Sequence, residues 1–155
     1  MIDTQVSVHD PRSAEVRELL GQHLAFTALH SPPEDVHALD VDALRGPGIT
    51  FYGLRCDGRL AAVGALRRLS AAHAELKSMH TRAELRGRGL ARRLLDALVE
   101  RAVADGCTRV SLETGTAAAF APARALYTSA GFRPCGPFGG YRPSPHSTFL
   151  SRVVG

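Results

Sequence analysis

Arg86-Gly87-Arg88-Gly89-Leu90-Ala91-Arg92-Arg93-Leu94-Leu95-Asp96 joins a glycine-rich turn directly to an amphipathic run, a combination that can bind a phosphate ester. The first amides of a helix have no partners within it and face whatever lies off its end. Gly87 and Gly89 let the backbone approach a pyrophosphate with no Cβ in the way. Five arginines from Arg82 to Arg93 surround the turn with positive charge. Two better-known phosphate motifs do not match. No Gly-x-x-x-x-Gly-Lys-Ser/Thr is present, and a dinucleotide fingerprint needs a third glycine where Arg92 stands.

The elements around the turn decide whether it can work as an anion site. Glu75 to Thr81 reads as a strand ahead of it, the helix runs from about Gly89 to Ala104 with Gly106 as its terminator, and Val110 to Glu113 reads as the next strand. Earlier in the chain, Val6 and Val8 mark a first strand. A helix capped by Asp10 with Pro11 at its first position carries Val16, Leu19, Leu20, His23 and Leu24. Glu34 to Leu44 predicts a shorter second helix. Ile49 to Cys56 and Leu60 to Leu69 predict an antiparallel pair turned by Asp57-Gly58. Another helix is expected from about Ala119 to Ser129, then a strand from Phe132, a Pro- and Gly-rich stretch, and a last strand from Thr148 to Val153. The expectation is one mixed α/β domain over residues 1–155, with a mostly antiparallel sheet of six or seven strands flanked by about four helices.

Bulk properties narrow the function. The net charge of +4 could suggest nucleic acid, but no aromatic residues are interleaved with the arginine cluster for base stacking. A local cluster beside an anion turn serves one polyphosphate ligand better, so no nucleic-acid partner is expected. No apolar run approaches the ~20 residues of a membrane span, and the N-terminus has neither a basic start nor an apolar stretch, so no membrane partner and a cytoplasmic location are expected. Three widely spaced cysteines, Cys56, Cys107 and Cys135, read as buried thiols. The seven histidines never fall at metal-ligand spacing, so no metal is expected.

Arg86-x-x-Gly89-x-Ala91 resembles the [Gln/Arg]-x-x-Gly-x-[Gly/Ala] signature of the GNAT superfamily of acetyl-CoA-dependent N-acetyltransferases. Ala125-Leu126-Tyr127 followed by Gly131-Phe132 is similar to the family's second landmark, and the order of elements agrees along nearly the whole chain. Pro32-Pro33-Glu34, His37-Ala38-Leu39-Asp40, Leu76-Lys77-Ser78-Met79, Ser111 to Gly115, and Cys135-Gly136-Pro137-Phe138 with Tyr141 resemble a bacterial subgroup of the family.

The resemblance implies acetyl-CoA as co-substrate and a primary amine, on a small molecule or a peptide, as acceptor. It implies that the pantetheine arm pairs with the backbone of Met79, His80 and Thr81. The pyrophosphate would rest on the amides of Arg86, Gly87, Arg88, Gly89, Leu90 and Ala91. Tyr127 matches the general acid that protonates the departing thiolate, and Glu75 matches a base glutamate, with Glu113 and His80 as competitors. Glu34 and His37 border the expected acceptor site, with His146 a weaker candidate. One departure is Phe120, where many members carry Asn; Pro122, near the start of the Tyr127 helix, is another. Direct attack in a ternary complex is the expected route. A non-catalytic acyl-CoA sensor is the alternative, and a homodimer is possible as in similar proteins.

Overall fold

A computed structural model describes residues 3–37 and 39–155. Met1 and Ile2, and Ala38 within the expected second helix, lie outside the described residues. The strands are β1 (Thr4–Val8), β2 (Ile49–Cys56), β3 (Arg59–Arg68), β4 (His73–Thr81), β5 (Arg109–Gly115), β6 (Arg133–Pro134) and β7 (Ser147–Val153). They form one seven-stranded sheet in the order β1-β2-β3-β4-β5-β7-β6, antiparallel except between β4 and β5. Three α-helices, α1 (Ala14–His30), α2 (Leu90–Ala104) and α3 (Ala121–Ser129), accompany it, with short 3-10 turns between elements.

Helix α2 follows its sequence pattern closely. Leu90, Leu94, Leu95, Leu98, Val99 and Ala102 recur at three- and four-residue spacing and are buried together against the sheet. Removing one of these leucine side chains would cost about 2–5 kcal/mol through lost burial and the cavity left behind. Gly106, at φ +93°, ends the helix: its amide bonds to Val103 and that of Cys107 to Ala102, a pair of bonds that only a left-handed residue permits easily. On the other side of the sheet, Val16, Leu19 and Leu20 of α1 join Phe51, Leu60, Val63 and Ala65 in a second core.

Two local expectations are corrected. Among the described residues of Glu34 to Leu44 there is no α-helix; 3-10 turns stand at Pro33–Asp35 and Ala43–Arg45. Asp40 competes for the backbone, since its side chain accepts from the Ala43 amide at 2.8 Å. Leu39 and Val41, two residues apart, also both pack on the second core, a spacing that suits extended rather than helical chain. The sheet therefore carries three helices rather than about four. Asp10 closes a turn on the Arg12 amide at 2.9 Å, and Ser13 caps α1 instead by accepting from Val16.

The sheet opens where the chemistry is expected. β4 and β5 pair only from His73–Arg109 to Leu76–Leu112. Beyond that point β4 continues with β3 as far as Thr81, while β5 continues with β7 as far as Gly115. A bulge helps turn β4 away: Ser78 lies at φ +57°, and the register with β3 skips there, opposite Gly64. A Cβ on Gly64 would lie 2.5 Å from the Met79 sulfur, so a larger residue there would have to push that side chain toward the cleft it lines.

Candidate functional site

The wedge between the splayed strands is a cleft of about 490 Å³. Met79, His80 and Thr81 line one wall, Glu113, Thr114 and Gly115 the other, and the turn with Arg86, Gly87, Gly89, Leu90 and Ala91 lies at one end. Arg88 belongs to the turn but is exposed and does not line the cleft.

The turn has the chemistry of an anion site. Gly87 and Gly89 lie at φ +77° and +76°, with open space where a Cβ would project. No amide from Gly87 to Arg92 has a partner among the described residues; the flanking amides of Arg86 and Arg93 bond to Ala83 and Gly89. Such a row of free donors at the head of a 15-residue helix suits a pyrophosphate. The arginines divide their tasks. Arg82 is buried and holds the Leu60 carbonyl at 3.0 Å and Glu18 at 3.0 Å, while Arg93 reaches Thr4. Arg86 and Arg92 are the two that line the cleft, Arg86 donating to the Thr81 carbonyl at 3.2 Å and Arg92 paired with Asp96 at 3.0 Å.

Tyr127 projects from α3 into the same cleft, against Phe132 at a centroid separation of 6.0 Å. Burial raises its phenol above the ordinary range, so it keeps its proton at neutral pH. Phe120 packs its ring on Gly115, where a Cβ would meet it at 2.3 Å, and edge-on against Phe26 at 5.3 Å. The wall at that position is therefore apolar.

Three groups were expected as possible bases, and they occupy different environments. His80 is buried beside His23, and desolvation lowers both to about 4, leaving His80 with an unpartnered Nε2. Glu75 is only 2% exposed and its Oε2 is doubly engaged, accepting from Lys77 Nζ at 3.2 Å and from the Tyr141 hydroxyl. Lys77 also donates to the Tyr141 oxygen at 2.7 Å, which closes a ring of three groups. Glu113 lines the cleft and accepts from Ser147 at 2.7 Å; burial raises its carboxyl to about 6 against that hydrogen bond.

A second groove of about 730 Å³ lies on the far side of this ring. Asp35, His37, Glu75, Lys77 and Tyr141 line both cavities, so the groove and the cleft meet at them. His37 stacks edge-on with Tyr141 at 4.8 Å, whereas Glu34 lines only the groove, and His146 is exposed and lines neither. Arg67 and Arg142 are functional candidates that reading the sequence for motifs missed, and Lys77 and Tyr141 stood in motifs without a role. Lys77 did leave a signal: two residues from Glu75 on a strand, it must share its face, and a buried carboxylate needs a partner. Tyr141 was quoted in a subgroup motif, but nothing in the Pro- and Gly-rich stretch showed that it would reach Glu75.

Comparison with known proteins agrees with this geometry. The Acetyltransferase (GNAT) family model matches residues 14–132. The uncharacterized N-acetyltransferase YsnE of Bacillus subtilis (strain 168) is 42% identical over 149 residues, covering 96% of this chain and 99% of that protein. A Klebsiella pneumoniae structure, provisionally an acyl-CoA N-acyltransferase, shares the fold with a TM-score of 0.81 at 25% identity, covering 98% of each chain. A GNAT family acetyltransferase from Elizabethkingia anophelis, solved with acetyl-CoA bound, shares it at 0.71 and 14% identity, covering 97% of this chain and 98% of that one. The chain belongs to the GNAT acetyltransferase family, whose members take the acetyl group from acetyl-CoA, and is an N-acetyltransferase.

Proposed function

We propose that the protein moves the acetyl group of acetyl-CoA to a primary amine by direct attack, with both substrates bound at once. The observation that carries this reading is the row of unpaired amides from Gly87 to Arg92, opening on the same cleft as the Tyr127 phenol and the Glu113 carboxyl. Bound acetyl-CoA supplies the thioester carbonyl that the amine attacks. The turn amides hold the pyrophosphate, and the free edge of Met79 to Thr81, unpaired with β5, is available to an extended arm. Arg86 and Arg92 add charge at the turn.

Tyr127 donates its proton to the departing thiolate, as the phenol that lines the cleft with the turn. In this reading the proton of the attacking amine goes to Glu113 rather than Glu75. A carboxyl near 6 is a usable base at neutral pH, and Glu113 has one oxygen free of Ser147. Glu75 orients Lys77 and Tyr141 at the entrance between the two cavities. His80, held near 4, is neutral and too weak to compete.

Initial rates of thiol release with acetyl-CoA and amine varied together test the route. Intersecting double-reciprocal lines are expected for a ternary complex. Parallel lines would require an acetyl-enzyme and would overturn direct attack.

A further inference from the structure

We propose that the second groove reads a carboxylate on the acceptor, so that the substrates are free amino acids. Their amine enters the cleft past Asp35 and Glu113, while their carboxylate lies against Arg67 and Arg142. The inference rests on the acetyl-transfer reading above and deepens it.

The argument is one of charge along an axis. Of the groups lining the groove, Glu75 and Lys77 neutralise each other at 3.2 Å. Glu34, Asp35, Arg67 and Arg142 remain, none in an ion pair among the described residues. Two acids against two arginines make a neutral groove, which suits a zwitterion; a polyamine or a polycationic sugar would need an acidic one. The charges are also segregated. Asp35 lines both cavities and acts on Glu113 across the cleft, whereas both arginines, Arg67 and Arg142, line the groove alone, and Glu34 is the one acid that does so beside them. Arg67 stands opposite Glu75 in the β3–β4 register and bears on the Tyr141 phenol, so it flanks the entrance from the outer side. Two exposed arginine side chains with free donors can clasp a carboxylate in a way one ammonium cannot. Leu39, Leu69 and Pro143 leave apolar wall for a side chain.

The step balances without a further reactant. The amine nitrogen forms a bond to the acetyl carbon as the carbon–sulfur bond breaks; Glu113 accepts the proton that the nitrogen loses, and Tyr127 supplies the one that the thiolate gains. The products are an N-acetyl amino acid and free CoA, and the proton on Glu113 returns to Tyr127 through solvent.

The test is thiol release by the wild-type protein with the protein amino acids, each beside its carboxamide and the amine lacking the carboxyl group. The free acid is expected to win by tenfold or more in kcat/KM for at least one amino acid. For that acceptor Arg67→Gln and Arg142→Gln should each raise KM about tenfold, change kcat by less than about threefold, and leave the carboxamide unaffected. Carboxamides or simple amines used as well as the acids would overturn the proposal, as would arginine variants that leave the KM of the acid unchanged. Calorimetry on CoA-saturated protein separates the two readings if no amine releases thiol. Tighter binding of the acid than of its amide, lost in Arg67→Gln, would then retain the carboxylate site and sink acetyl transfer; equal binding or no heat would sink the carboxylate site.

Discussion

The two halves of the site use different parts of the chain. The anion turn is a single stretch, Arg86 to Arg92, and works through backbone amides and glycine conformations. The proposed acceptor side draws Asp35 from a 3-10 turn, His37 from the chain just after it, Arg67 from β3, Glu75 and Lys77 from β4, Glu113 from β5 and Tyr141 from the stretch before β7, and would work through side chains. A backbone site tolerates most side-chain changes and fails when a Cβ intrudes. A side-chain site built on buried charge is costly to break at any one member.

The largest effect should come from that buried charge. Lys77 and Glu75 have side chains only 8% and 2% exposed, and Lys77→Met leaves the carboxylate without its cation. A loss of about 3–5 kcal/mol in denaturant unfolding is expected, most of it recovered when Glu75→Leu is added. A cost below about 1 kcal/mol would mean that the ring is a surface feature, and the contrast between the halves would fail.

Tyr127→Phe comes next. Without the phenol a fall of about 100-fold in kcat is expected at unchanged acetyl-CoA affinity, since only the proton is removed. Unchanged kcat would reduce Tyr127 to a packing residue.

Glu113 separates activity from stability. Its carboxyl must be ionised to accept a proton, so kcat at saturating substrates should rise with pH through about 6, and Glu113→Gln should remove that limb. The stability sign is opposite. Because folding raises this group from 4.5 to about 6, the folded state holds the proton more tightly, and stability falls as pH climbs through that window. Glu113→Gln should therefore stabilise the protein at pH 7 by about 1–2 kcal/mol. Thermal melts at pH 4 and pH 7 check it, the gain vanishing at the lower pH.

The smallest changes sharpen the comparison from the backbone side. Gly89 and Gly106 lie at φ +76° and +93°, one in the cleft and the other at the far end of the same helix. Alanine at either should cost about 1 kcal/mol. Only Gly89→Ala should weaken acetyl-CoA binding, because only its Cβ would project where the phosphates are proposed to rest.

The same contrast explains what reading the sequence could reach. The anion turn, α2 with its terminator Gly106, and the Asp57-Gly58 hairpin were legible because each is settled within a few residues. The helix expected over Glu34 to Leu44 was not formed, because the Asp40 cap and the packing of Leu39 and Val41 on the second core outweigh its periodicity. Tyr127 was legible by resemblance, and Glu75 as an acid on an apolar strand. That Glu75 is occupied by Lys77 and Tyr141 could not be read, since Tyr141 is 66 residues away in sequence. Arg67 and Arg142 look like ordinary exposed arginines until the fold places them at one groove.

The central claim is that the free amides of the turn hold the pyrophosphate of acetyl-CoA. Calorimetric titration of the wild type and of Gly89→Trp with acetyl-CoA, CoA and NAD tests it most directly, with a melting curve to show that the variant is folded. The account predicts binding of acetyl-CoA and CoA but not NAD, abolished in a folded Gly89→Trp protein. Binding of NAD, or acetyl-CoA affinity unchanged by a tryptophan in the turn, would contradict it.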